Sequence, residues 1–64
     1  MRLDIVVTNE LYPWWWINLM RLDSFADVLE TIGNHGGVYH DGGEPRWIQF
    51  DNEKDATIFL LRWA

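Results

Sequence analysis

The sequence predicts an α+β fold in which two ββα units form a four-stranded antiparallel sheet with two helices on one face. A repeat carries this prediction. Trp16-Ile17-Asn18-Leu19 returns 31 residues later as Trp47-Ile48-Gln49-Phe50. The apolar positions Phe25, Val28, Leu29 and Ile32 return at the same offset as Ala56, Phe59, Leu60 and Trp63. Their i, i+3, i+4, i+7 spacing belongs to one face of a helix, so each unit should close with one. The chain is then one domain, 1–64, made of units at about 2–33 and 34–64.

The first strand covers Leu3 to Thr8, a β-branched, apolar stretch with Leu3, Ile5 and Val7 on one side. Asn9 to Pro13 supply turn chemistry, and the aromatic run Trp14 to Met20 follows. A helix starting at Pro13 competes here, since proline is tolerated at a first helical position. The repeat favours a strand instead, because Trp47 to Phe50 lies between a turn and a helix start. The first helix should begin at Asp23-Ser24, with Asp27 in the positive first turn, and stop at Gly33. Gly37 to His40 reads as a short strand, Asp41-Gly42-Gly43-Glu44 as a hairpin, and Arg46 to Phe50 as the last strand. Asn52-x-x-Asp55 resembles a capping box with a shortened acid at the start of the closing helix, and Arg62 suits its negative end. Strand, strand, helix, twice over, matches a circularly permuted ferredoxin-like sandwich. A right-handed crossover then puts the two Trp-Ile strands side by side in the centre.

A chain of 64 residues buries only about 60% of the surface it would expose unfolded, so small scaffolds of this kind need extra support. With no cysteine there is no disulfide, and zinc loses its commonest ligand. Dense packing or association of five Trp, three Phe and two Tyr remains. Ten acidic against five basic residues, net −5, disfavour nucleic acid as a general partner and also repel anionic membranes. No apolar run approaches the roughly 20 residues of a membrane span, and Leu3-Asp4-Ile5-Val6-Val7 is too short and too charged for a signal peptide. A cytoplasmic protein is the expectation.

Alternation along the strands divides the sheet into two faces. If Ile17, Leu19, Ile48 and Phe50 meet the helices, Trp14, Trp16 and Trp47 point away. Tyr39 joins them if Val38, the repeat mate of Val7, is inward. These four form the expected partner-binding surface, because exposed aromatics supply large apolar area with few rotatable bonds. The competing reading covers them with the 9–13 loop as a minor second core. An aromatic sheet face is also similar to RNA-recognition modules, but the five basic residues are scattered singly among ten acids.

No catalytic, metal or cofactor site is expected. His35 and His40 fall on opposite faces of a regular strand. The glycines match neither G-x-G-x-x-G nor a Gly-Lys-Ser/Thr loop. Ser24 has no histidine at a motif spacing, and Glu53 and Asp55 are two apart on a helix, where side chains do not face one another.

Phe50-Asp51-Asn52-Glu53-Lys54-Asp55-Ala56-Thr57-Ile58-Phe59-Leu60-Leu61-Arg62-Trp63 resembles the C-terminal ends of short uncharacterised proteins of tailed bacteriophages. These often show a strand Phe, an acidic helix start, Asp-Ala and a Phe-x-Leu-x-Trp/Phe stripe. The resemblance covers about a fifth of the chain and transfers no functional residue. It implies a virus-encoded accessory protein that binds a host protein, such as an inhibitor of a bacterial defence system. The sequence reading is therefore a small acidic, non-enzymatic protein-binding module, with a homodimeric assembly factor and a single-strand nucleic-acid binder as alternatives.

Overall fold

The computed structural model describes residues 1–64. In chain order it contains strand β1 (Arg2–Ile5), helices α1 (Trp14–Leu19) and α2 (Phe25–Asn34), strands β2 (Gly37–His40) and β3 (Arg46–Phe50), and helix α3 (Glu53–Trp63). The sheet has three antiparallel strands in the order β1-β3-β2, rather than four. Trp14 to Leu19 is helical, so the expected pair of central Trp-Ile strands does not form and the two units are not structural repeats. Only the second copy, at the centre of the sheet, is a strand.

Pro13 caps α1 with its backbone alone: its carbonyl accepts from the amides of Trp16 (3.0 Å) and Ile17 (3.1 Å). The helix buries Trp16 and Leu19, three residues apart on one face. Asn18 Nδ2 donates to the Trp63 carbonyl at 2.8 Å, tying α1 to the end of α3. A helix this short is unstable alone, so its burial and this tie supply what propensity does not. Before it, Thr8 and Leu11 exchange two backbone bonds of 2.9 Å around Asn9 and Glu10, both with positive φ (52° and 66°). The turn chemistry expected at Asn9 is therefore present, in the form that favours Asn or Gly at both centres.

The other helix starts follow the sequence. Ser24 Oγ accepts from the Asp27 amide at 3.2 Å, and Asn52 Oδ1 accepts from the Asp55 amide at 2.9 Å. Asp55 answers through its side chain, with Asn52 Nδ2 donating to Asp55 Oδ2 at 3.3 Å. The α2 stop differs from the expectation: Gly33 stays helical, and Gly36, with φ +80°, takes the left-handed position.

All three helices contribute to a core on one side of the sheet. Val28 and Ile32 from α2 and Ala56 and Phe59 from α3 join Trp16 and Leu19 over Ile5, Ile48 and Phe50. Gly37 is fixed by this packing, since a Cβ there would lie 2.9 Å from the Ile32 and Ile48 methyls and 3.0 Å from the Phe50 ring.

Two stability changes of opposite sign follow. Glu10→Gly removes a left-handed side chain that costs about 1 kcal/mol, and thermal melting should show a gain of roughly 4–8 °C. Gly37→Ala should lower stability by about 1–3 kcal/mol in denaturant titration, because the three atoms it meets belong to fully packed side chains.

Candidate functional site

The structure separates the four aromatic residues expected on one sheet face. Trp16 is 3% exposed and lies in the core. Its ring stacks on Tyr39 (centroids 6.0 Å apart, planes 12°) and meets Trp15 edge-on at 5.9 Å. Tyr39 shares the core side of the sheet, since its partner across the ladder is the buried Ile48. Val38 is therefore the outward residue, 58% exposed, against the expectation that it points inward. The repeat mate Val7 lies beyond β1, so it sets no parity for β2. Trp14 is 63% exposed, but on α1 rather than on a strand.

Trp47 alone stands on the open sheet face as expected. The Arg2 guanidinium sits 4.3 Å from its ring centre, and the His40 ring stacks on it at 4.0 Å. These neighbours come from the two strands flanking β3, so the protein's own side chains cover both ring faces. Arg2 Nε also donates to Asp4 Oδ1 at 2.6 Å. This face is a packed polar ladder, poorly suited to stacking a foreign ring.

Three surface grooves exist. Two are polar: one lined by Asn34, His35, Gly36, Asp55 and Ile58, the other mainly by Arg21, Asp23, Asp27, Glu30 and Asn34. In the first, His35 packs edge-on against Phe59 at 5.4 Å, and Asp55 is engaged by Asn52. No three metal-ligating side chains come together anywhere in the chain.

The third groove, about 460 Å³, is lined by Tyr12, Trp16, Ile17, Met20 and Arg46, four of them apolar or aromatic. Its size lies within the ~300–1,000 Å³ of ordinary ligand sites. Local structure explains its walls. The Asn9-Glu10 turn and Pro13 deliver Tyr12 beside α1, while the α1 repeat of three to four residues brings Trp16, Ile17 and Met20 to adjoining positions. Trp14 and Ile17 are three apart on the same helix, which extends the apolar surface towards its start.

Arg46 closes the groove from the first position of β3. By alternation with Ile48 and Phe50 it faces the core side of the sheet. Its Nη1 donates to the Tyr39 hydroxyl at 3.0 Å and its Nη2 to the Tyr12 hydroxyl at 3.3 Å. The guanidinium carbon lies 5.4 Å from the Trp16 ring centre and 5.7 Å from that of Tyr12. Partial burial opposes its charge, but the hydrogen bond that it donates to Tyr39, with Coulombic support from Tyr39, Tyr12 and Glu44, outweighs this and raises its pKa above the ordinary arginine value. It stays a cation at any physiological pH.

Among these lining residues only Trp16 belongs to the expected set. Ile17 and Met20 were hidden by the strand reading of the aromatic run, and Tyr12 was read only as part of the turn before it. Arg46 was visible in principle, because the same alternation that turns Ile48 and Phe50 inward turns a charged residue inward with them. No family model, curated protein or solved structure matches the chain.

Burial separates neighbouring tryptophans by consequence. Trp16→Ala should destabilise by about 3–5 kcal/mol and Trp14→Ser by less than about 0.5 kcal/mol in thermal or denaturant melts. Equal losses at the two positions would contradict this arrangement.

Proposed function

We propose that the chain is a small protein-binding module that acts by contact rather than catalysis, as an inhibitor or adaptor for another protein. A virus-encoded role against a host protein fits this reading. The contact surface lies along α1, where Trp14, Ile17 and Met20 run beside the Tyr12–Trp16–Arg46 groove. One observation carries the proposal: Tyr12 and Met20, each 43% exposed, line a largely apolar groove, and Trp14, 63% exposed, stands three residues before Ile17 of that groove on the same helix. Single exposed apolar side chains are ordinary on protein surfaces, whereas a cluster around a concavity is a feature of contact sites.

The earlier expectation placed this surface on the sheet, with Trp16 and Tyr39 exposed. Both now support the α1 surface from beneath, and Trp47 lies on the opposite side of the sheet. Variants can therefore separate the two faces. The double variant Trp14→Ser, Met20→Asp should lose at least about tenfold in recovery of a specific protein from bacterial lysate, while Trp47→Ser should recover it as the wild type does. Identical recovery by all three baits would remove α1 from the contact. Light scattering at low micromolar concentration separates a foreign partner from a second copy: a wild-type dimer that the double variant dissociates would assign the surface to self-association.

A further inference from the structure

Arg46 gives the groove a chemical preference that its apolar walls lack. A guanidinium carries five N–H donors in a rigid fork. Two are committed to the Tyr39 and Tyr12 hydroxyls, and the other three have no acceptor within the chain. No carboxylate comes within 4 Å of Arg46, although the protein has ten; the one ion pair in the structure joins Arg2 and Asp4. Glu44 acts on Arg46 only through space. The aromatic rings and tyrosine hydroxyls thus orient this cation without neutralising it.

Any partner covering the groove must deal with those three donors. A purely apolar segment would bury them unsatisfied, and a cationic one would be repelled. A carboxylate can accept two parallel bonds from the fork, which is already held in plane by the tyrosines and so loses little freedom on binding. Ile17 and Met20 meanwhile offer an aliphatic wall on the same groove. From these complementarities we infer that the groove takes an internal segment of a partner protein carrying an Asp or Glu next to large aliphatic side chains. The acid engages Arg46 and the aliphatic neighbours lie against Ile17 and Met20. An internal acid, rather than a chain end, leaves peptide on both sides to cover the apolar line from Trp14 to Met20, about 9 Å along the helix axis. The inference rests on the contact reading of α1 given above.

The test uses the full chain, labelled with 15N, and three pentapeptides near neutral pH. The first is Ala-Leu-Glu-Leu-Ala, acetylated and amidated; the second replaces Glu with Gln; the third is the Gln peptide with a free terminal carboxylate. The Glu peptide should shift the Arg46 Nε–H and the amides of Ile17 and Met20. It should bind about tenfold or more tightly than the blocked Gln peptide, as a charge-assisted bidentate contact implies. Arg46→Gln should erase that preference, and Arg46→Lys, keeping charge without the fork, should retain part of it. Equal affinity of the wild type for the two blocked peptides would overturn the carboxylate assignment and leave the groove a contact site. Absence of shifts at Ile17, Met20 and Arg46 with any peptide would overturn both readings. If the free-carboxylate Gln peptide binds as tightly as the Glu peptide, the anion belongs to a chain end and the internal segment is overturned. The three overturning outcomes use the wild-type protein, so none of them depends on a variant that fails to fold.

Discussion

The fold depends on the burial of Trp16. Its ring stacks on Tyr39 from β2, touches Trp15 edge-on and carries Arg46 from β3 beside it. Trp15 continues the contact to Phe59 of α3, which meets Phe50 of β3, while Phe25 of α2 packs edge-on against Tyr39. One line of rings therefore joins all three helices to two strands. In a chain with no cysteine to staple it, each such large side chain adds more packing area than an aliphatic residue could. A six-residue helix at α1 is a consequence of this packing, since nothing in its local sequence would hold it alone.

Once Trp16 goes into the core, the sheet topology changes with it. The segment expected to form a hairpin with β1 is a helix over the core, and β1 pairs with β3 across most of the chain length. The Met1 ammonium extends that pairing, donating to the Phe50 carbonyl at 2.7 Å. The sheet is left with one covered and one open face. On the open side, Arg2, Trp47 and His40 satisfy one another, which removes the demand for a partner there. Exposed apolar side chains remain at several places, such as Leu61 on α3 and Val38 on β2, and those along α1, Trp14 and Met20, are the ones that accompany an apolar groove.

Much of this was legible where the signal is local. Ser24 and Asn52 marked two helix starts because a capping side chain acts within three residues of itself. The turn at Asn9 and the strands β2 and β3 were legible for the same reason. The α1 segment was not, because a run of nearly all apolar residues has no period to read, and only tertiary burial decides between strand and helix. The repeated tetrapeptide shows the ambiguity directly. Trp16-Ile17-Asn18-Leu19 is a helix that buries its tryptophan, and Trp47-Ile48-Gln49-Phe50 is a strand that buries its isoleucine and phenylalanine. Likeness of sequence over four residues carries no conformation by itself, and the parity assigned to Val38 and Tyr39 failed because it was inherited from that likeness.

The charge at Arg46 and the openness of the groove are two sides of one constraint. An aliphatic residue at this inward position could be sealed under Tyr12 and Trp16 and would enlarge the core. A guanidinium cannot be sealed there, because two tyrosine hydroxyls satisfy only part of its fork and no carboxylate of the chain reaches it. The remaining donors must stay in water or meet an acceptor from outside. The edge of the core is thus held open by the cation placed at its rim, and the rings that position the cation are the same rings that hold α1 to the sheet. The chemistry of the groove and the stability of the fold meet in Trp16 and Tyr39, so the groove cannot be altered at those two residues without loosening the scaffold. Among the lining residues, only Ile17 and Met20 neither hold Arg46 nor stack in the core.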